Sequence, residues 1–353
     1  MLVLTSLADT RHWDIRWEVI MTYYFESRGS FVTRPASLAP VRSSKPRTKK
    51  VSLAQQAKKF TVLQPQEIIL GLFGEYVEEH EQVWSGGLVN LLQDLGFSVA
   101  GARVAINRVC LRNLLISQRE GRFIFYVSAP RLLAVIEEGR HHTFSAKADP
   151  QWDGSWRIVL YQGAEGHKVD GHRADRVRLG RWLTLRHFGV IQEGIWIAGG
   201  GESRELKRLI SRLGMEGQVL SLNVSLNDPQ EARNVIHRAW NLELLSSLYD
   251  MFLAKFEPMY ETINKKGVSP LDAFVIRTRL IDMFRKMATI DPNLPDTVLE
   301  IEWRRGEALE LFYAMHPLLA EGAREHFEQC AIRTTQPIDM DTKKTRKQTP
   351  RQP

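Results

Sequence analysis

The side chains best placed to do chemistry lie in the stretch 95–119, which contains no aspartate or glutamate. Arg103, Asn107 and Arg108 recur there at helical spacing. Guanidinium and carboxamide groups form paired hydrogen bonds with the edges of guanine and adenine in the major groove of DNA. The pattern therefore indicates a surface that reads nucleic acid, provided that a helix presents these side chains to solvent.

The residues around this pattern predict such a helix over 99–113, with Ser98 as its N-cap. At about 100° per residue, its small apolar residues fall on one face and its polar residues on the other. The inner face is Ala102, Ala105, Ile106 and Val109, and the opposite face is Ala100, Arg103, Val104 and Asn107, with Arg108 on the flank. An apolar inner face leaves the arginine and asparagine side chains in solvent.

Neighbouring segments complete a small fold. Apolar residues at helical spacing predict helices at 66–77 and 86–95, the second ended by Gly96. Two alternating runs, 115–119 and 123–128, flank Glu120-Gly121 and predict a hairpin. Three helices followed by a two-stranded ribbon predict a winged helix-turn-helix. We expect its contacts with DNA to come from Arg103, Asn107, Arg108, Arg112, Arg119 and Arg122.

The rest of the sequence predicts an α+β protein with two further units. Residues 157–224 follow the order β-α-β-β-α-β, which is the ferredoxin-like arrangement also found in Cas2 proteins. From Asp228 the pattern is helical, with helices expected at about 229–257, 270–287 and 305–330. We divide the chain into an extension (1–60), a winged-helix domain (61–148), a ferredoxin-like domain (149–228), a helical domain (229–332) and a basic tail (333–353). The extension and the tail are expected to be flexible.

Composition limits the function classes. The net charge of +7 fits a polyanionic partner, and nine Lys or Arg residues with no acid fall in the stretch 27–66. Cys110 and Cys330 lack any CxxC or Cys/His spacing, so the sequence predicts no disulfide, metal site or cofactor. No run of 18 apolar residues exists, and acidic and basic residues interrupt the N-terminus, so we expect a cytoplasmic protein with no membrane partner.

Enzymatic motifs are weak. His141-His142 and the pair His167 and His172 lack the helical spacing of a zinc protease, and Gly199-Gly-Gly201 lacks the Gly-Lys-Ser/Thr of a phosphate loop. A Cas2-like nuclease is the enzymatic alternative, but it needs an aspartate after the first ferredoxin-like strand, where none occurs before Asp170. A structural adaptor is a third alternative, although it would have no use for the arginine-bearing helix. We therefore expect no catalytic activity.

Sequence pieces in a fixed order resemble the PaaX-like family, the phenylacetic acid degradation repressors. They begin with Leu72-Phe-Gly-Glu-Tyr76, Val83-Trp84, Arg103-Val-Ala-Ile-Asn-Arg-Val109 and Gly121-Arg-Phe-Ile-Phe-Tyr126. They continue with Trp152-Asp-Gly154, Phe188-Gly189, Arg238-Ala-Trp-Asn-Leu242, Ala273-Phe-Val-Ile-Arg-Thr278 and Asp291-Pro-Asn-Leu-Pro295 with Trp303. The resemblance implies a homodimeric winged-helix repressor of a catabolic operon that leaves double-stranded operator DNA when it binds an acyl- or aryl-CoA effector. It also matches Arg103, Arg108 and Arg122 to family arginines.

The sequence departs from the family pattern at four points. Phe123 replaces a second wing arginine, and Asn113-Leu114 replaces Gly-Trp, which asparagine tolerates because it adopts the left-handed conformation. Asp282 stands where the family commonly has histidine, and Arg305 replaces a glycine. We expect the effector near the aromatic and basic residues Trp182, Arg186, Arg277, Arg279 and Asp282. Because Asp282 disfavours an anion, a carboxylate without CoA or a neutral aromatic is the reserve candidate.

Overall fold

The structure, a computed structural model, describes residues 62–144, 152–161, 173–200, 203–299 and 302–331. The predicted extension, tail and His167/His172 pair, together with Asp170, lie outside the described residues, as do the side chains of His141 and His142. The described residues form a mixed α+β fold, as predicted. No helix in these ranges is long and apolar enough to cross a membrane.

The first part of the described chain contains four helices and three short strands. These are α1 (Pro65–Tyr76), β1 (Val83–Trp84), α2 (Ser85–Asp94), α3 (Val99–Leu111), β2 (Leu115–Glu120), β3 (Phe123–Ser128) and α4 (Pro130–Phe144). The strands form an antiparallel sheet in the order β1-β3-β2. Local chemistry sets the helix ends: the Ser98 hydroxyl accepts from the Gly101 N–H at 3.1 Å, and Gly96 and Asn113 take the positive φ angles of 97° and 53° that follow α2 and α3. The capping and left-handed positions predicted from the sequence are confirmed.

The central part is a four-stranded sheet with two helices on one face. Its elements are β4 (Trp156–Tyr161), α5 (Arg173–Leu185), β5 (Gly189–Gln192), β6 (Ile195–Gly199), α6 (Arg204–Arg212) and β7 (Val219–Val224). The order β5-β6-β4-β7, with every pair antiparallel, is the ferredoxin-like topology that the element order predicted. One core lies between α5, α6 and the sheet, and a second lies on the opposite sheet face around Trp156 and Trp240.

The C-terminal part is helical. It consists of α7 (Pro229–Ala239), α8 (Leu242–Lys266), α9 (Pro270–Ile290), the short α10 (Asp296–Leu299), α11 (Arg305–Leu318) and α12 (Ala320–Ala331). The predicted continuous helix over 229–257 is wrong, because the backbone leaves the helical region at Trp240 and Asn241. The Asn241 side chain then caps α8 by accepting from the Leu244 N–H at 3.0 Å. The chain turns at that point and lays α7 against β5.

The first and C-terminal parts share one hydrophobic core. It runs from Phe73 and Leu88 in α1 and α2 to Phe284 and Phe312 in α9 and α11. Helix α9 lies at its centre and packs against α1, α4, α8, α11 and α12, and it also touches α5. This shared core attaches the first part, which contains the residues predicted to contact DNA, to the C-terminal helices.

Candidate nucleic-acid interface

Helix α3 separates its buried and exposed residues as the sequence predicted. Ala102, Ala105, Ile106 and Val109 are buried against α1 and α2, whereas Arg103, Val104, Asn107 and Arg108 are exposed. Within the described ranges, neither Arg103 nor Arg108 forms an ion pair with an acidic side chain. Val104 is half exposed, at 50%, in the middle of this polar face. An exposed face of cationic, amide and aliphatic groups can meet base edges, phosphates and thymine methyl groups.

The β2–β3 hairpin lies beside α3 in the chain and is exposed along most of β2. All its residues from Ile116 to Arg122 are exposed, and its buried residues, Leu115 and Val127, lie near its base. Glu120 pairs with Phe123, and Gly121 has φ 59° at the first position of the two-residue turn, as a type II′ turn requires. Arg119 donates to the Gly121 carbonyl at 3.0 Å, and the Arg122 guanidinium lies 5.0 Å from the Phe123 ring centroid. The Phe123 ring thus supports the Arg122 guanidinium.

Arg112 is placed differently from the other predicted contact residues. It is half-buried at the C-terminal end of α3, and its carbonyl accepts from Arg131 of α4 at 3.1 Å. The remaining five predicted residues, Arg103, Asn107, Arg108, Arg119 and Arg122, are all exposed. The structure therefore exposes five of the six predicted DNA-contact residues, on α3 and the β2–β3 hairpin. Arg112 is the one that is half-buried.

Two groups of charged side chains join α1 to α9. In the first, Arg277 donates to the Glu75 carboxylate at 2.9 Å and to the Tyr76 hydroxyl at 3.1 Å, and His316 lies 3.5 Å from Glu75. Burial alone would raise the pKa of Glu75, but the hydrogen bond with His316 and the charge of Arg277 outweigh it and lower that pKa. Helix α1 is thus held to α9 and α11 by an ionised carboxylate.

The second group lies further along the same two helices. Asp282 accepts from Lys286 at 2.7 Å and from Arg285 at 3.2 Å, and Arg285 reaches Glu67 of α1 at 3.1 Å. Burial raises the pKa of Glu67 despite the nearby cations. Removing one member of such a buried group leaves an uncompensated charge, which typically costs about 3–5 kcal/mol. These contacts explain why charged residues occur on the otherwise apolar face of α9.

A third polar group joins the central sheet to the C-terminal helices at the Asp291-Pro-Asn-Leu-Pro295 motif. Asp291 accepts from the Tyr249 hydroxyl and pairs with Arg305 at 2.9 Å, and Arg305 is fully buried. The His187 Nδ1–H donates to the Asp291 carbonyl at 2.8 Å, which fixes the histidine tautomer. Arg305 is therefore a structural partner of this motif.

The predicted effector residues fall into two groups. Arg186 pairs with Glu205 at 3.0 Å and lies 5.1 Å from the Trp182 ring centroid, on the central part of the fold. Arg277 and Arg279 instead contact the first part, with Arg279 donating to the Leu95 carbonyl at 3.1 Å. Asp282 pairs with Arg285 and Lys286 on its own helix, and Arg285 in turn reaches Glu67 of α1. Helix α9 touches α5, which carries Trp182, so the two groups lie on neighbouring helices. Their role in effector binding stays a prediction.

Sequence reasoning missed the partners of these α9 residues. Glu67, Glu75 and His316 gave no motif, because their significance depends on contacts between helices more than 200 residues apart, such as Arg285 with Glu67 at a separation of 218. One signal was present. Glu67 directly precedes the apolar run Ile68-Ile69-Leu70, and an acidic residue beside a buried run needs a cationic partner.

Comparison with protein-family models identifies the family to which this three-part chain belongs. Family models match three consecutive segments: PaaX-like protein at 64–130, the PaaX protein central Cas2-like domain at 149–236 and the PaaX-like protein C-terminal domain at 240–329. The fold is therefore that of a three-part α+β protein with a Cas2-like centre. The chain belongs to the PaaX-like family.

Two individual proteins are similar over most of the chain. The transcriptional repressor PaaX of Escherichia coli (strain K12) is 22% identical over 262 residues, which cover 72% of this chain and 80% of the repressor. A solved structure, the uncharacterized protein Rv0674 from Mycobacterium tuberculosis, is 16% identical and covers 74% of this chain and 97% of its own, with a TM-score of 0.44.

Proposed function

We propose that this chain is a DNA-binding transcriptional repressor without catalytic activity, in which α3 is the recognition helix and the β2–β3 hairpin is the wing. The observation that supports this most strongly is the acid-free exposed face of α3. The order of helices and strands from α1 to β3 supports a winged helix-turn-helix, and the similar Escherichia coli protein is named a transcriptional repressor. The proposed domains are 61–148 for DNA binding, 149–228 for the ferredoxin-like part and 229–332 for the helical part.

In this proposal, α3 enters the major groove. Arg103 and Asn107 then pair with base edges, Arg108 contacts base or phosphate, and the exposed Val104 meets a thymine methyl group. Arg119 and Arg122 on the wing contact phosphates or the minor groove. Arg112, which is half-buried, acts mainly by fixing the end of α3.

We further propose that two copies bind operator half-sites about one helical turn apart and that an acyl- or aryl-CoA effector releases them. Arg277 and Arg279 hold α1 and α2 from the C-terminal side. An anionic effector that drew either arginine away would favour a second position of the DNA-binding elements. By linkage, such an effector lowers DNA affinity in proportion to its preference for that second state.

The DNA proposal is tested by selecting binding sites from a random duplex library and measuring affinities on the selected site by fluorescence anisotropy. Arg103→Ala and Asn107→Ala should each lose about 1–3 kcal/mol on the selected site and keep nearly all non-specific affinity. Arg208→Ala, an exposed arginine on α6, is the matched control and should bind as the wild type does. Unchanged affinity of the Arg103→Ala protein would reject α3 as the recognition helix.

The effector proposal is tested by calorimetry with phenylacetyl-CoA, benzoyl-CoA and free phenylacetate, and by repeating the anisotropy measurement with each. We expect heat from a thioester and a weaker complex with DNA, with the dimer seen by sedimentation. Protein that binds DNA but gives no heat with any of the three compounds would reject the thioester and leave the DNA proposal intact.

A further inference from the structure

Three side chains with metal-binding atoms meet where α2 contacts α12. The His326 Nε2 lies 2.8 Å from the Asp94 Oδ2 and 3.7 Å from the Cys330 Sγ. All three donor atoms lie within 4.8 Å of one another. His326 and Cys330 are four residues apart on α12 and therefore share a face, while Asp94 is the last residue of α2.

Packing holds this cluster in place. The His326 ring lies 5.2 Å from the Phe274 ring, between centroids, and α9 packs along α12. On the other side, Gly87 of α2 lies so close to α12 that a Cβ added there would come within 2.0 Å of the Cys330 carbonyl oxygen. The close approach of the two helices, made possible by a glycine, brings Asp94 within reach of His326.

The separations of the donor atoms suit a tetrahedral zinc ion. Zinc bonds of about 2.3 Å to sulfur and about 2.0–2.1 Å to nitrogen or oxygen imply S···N separations near 3.6 Å and N···O separations near 3.3 Å. The observed S···N separation of 3.7 Å already matches, and the N···O separation of 2.8 Å requires the Asp94 carboxylate to move back by about half an ångström. Thiolate, imidazole and carboxylate together form a donor set that zinc accepts.

We propose that Asp94, His326 and Cys330 form a zinc-binding site that joins α2 to α12. The thiol proton of Cys330 leaves when the ion binds, His326 binds as neutral imidazole, and water completes the coordination. The ion would link the C-terminal helix to the helix that immediately precedes α3. Metal binding by this cluster does not depend on DNA binding.

Calorimetry with zinc chloride on untagged full-length protein, first stripped with a chelator, tests the site. We expect one zinc per chain and a higher melting temperature for the zinc-bound protein. Cobalt in place of zinc should give a thiolate-to-cobalt charge-transfer band, which identifies sulfur as a ligand. Cys330→Ser, His326→Gln and Asp94→Asn should each lose more than about tenfold in zinc affinity, since second-shell changes alone cost 10–100-fold at metal sites.

The chain provides its own control in the second cysteine, because Cys110 is a half-buried thiol on α3 outside the cluster. Cys110→Ser should keep the zinc affinity, the melting shift and the cobalt band. Circular dichroism of each stripped variant establishes that it is folded before titration. If both substitutions in α12 prevent folding, the Asp94→Asn variant in α2 still tests the site. Wild-type protein that takes up no zinc, or binding that all three cluster variants retain, would overturn the proposal.

Discussion

At the scale of single residues, α3 combines three kinds of exposed side chain within two turns. Arg103 and Arg108 provide guanidinium groups, Asn107 provides a carboxamide, and Val104 exposes 50% of its surface although it is aliphatic. In the free protein the exposed half of the Val104 side chain stays in water and lacks the stabilisation of burial. A hydrophobic contact with a thymine methyl group would give it that burial in a complex with DNA.

The wing arginine should affect binding in a different way from the helix residues. Arg122 is exposed at the hairpin tip and lies against Phe123, where it meets phosphate and not a base edge in the proposed complex. Arg122→Ala should weaken specific and non-specific binding about equally and reduce the slope of log affinity against log salt by about 1. Anisotropy titrations over a range of salt concentrations measure both effects, with Arg208→Ala again as the control. A loss confined to the selected site would contradict the phosphate assignment.

At the scale of elements, the contact between α2 and α12 depends on a glycine. A Cβ at Gly87 would lie 2.0 Å from the backbone oxygen of Cys330, which cannot move aside as a flexible side chain could. Gly87→Ala should therefore force the helices apart and cost about 1–3 kcal/mol or more of the free energy of unfolding. Urea unfolding measures this change.

A second glycine provides the matched control. Gly71 is exposed within α1, and a Cβ there would meet no atom within 4 Å. Gly71→Ala should raise the free energy of unfolding by about 0.4–1 kcal/mol, because alanine loses less backbone entropy on entering a helix. Equal effects of the two substitutions would mean that the close approach of α2 and α12 is not maintained in solution.

At the scale of the whole molecule, the polar group around Asp291 joins the central sheet to the C-terminal helices. Desolvation lowers the pKa of His187, even though the Asp291 carbonyl accepts from its ring. The folded protein then binds fewer protons than the unfolded chain as the pH falls below about 6.5, the ordinary pKa of histidine. The contribution of neutral His187 to the free energy of unfolding is therefore present above this pH. It is lost below this pH, by at most about 1.4 kcal/mol per pH unit.

Replacing this histidine should remove part of that pH dependence. His187 has φ 64°, which asparagine tolerates, so His187→Asn keeps the backbone and removes the titrating ring. We expect the variant to lose less stability than the wild type between about pH 7 and pH 5 in thermal or urea unfolding. His80→Asn is the matched control, because His80 is exposed and has φ 74°. Identical pH profiles for wild type and His187→Asn would show that His187 does not contribute to the pH dependence of stability.

The sequence by itself determined the local elements and the exposed face of α3. Periodicity placed the helices and strands, Ser98 marked the start of α3, and small apolar residues every three or four positions fixed its buried side. These features depend on interactions within a few turns of chain, and sequence patterns record such interactions directly. The break at Trp240 was missed because both flanking segments have helical periodicity and only the Asn241 cap separates them.

Tertiary structure alone decided which distant residues meet. Arg277 was predicted near an effector, and the fold gave it partners on α1 and α11, since a buried charge must be compensated by whatever lies across the interface. Asp282, also predicted there, pairs with Arg285 and Lys286 on its own helix, and Arg285 reaches Glu67 of α1. Asp94 and His326, 232 residues apart, came together because Gly87 let two helices approach. Such contacts depend on how helices pack against one another, and no periodicity within either segment records the identity of its neighbour.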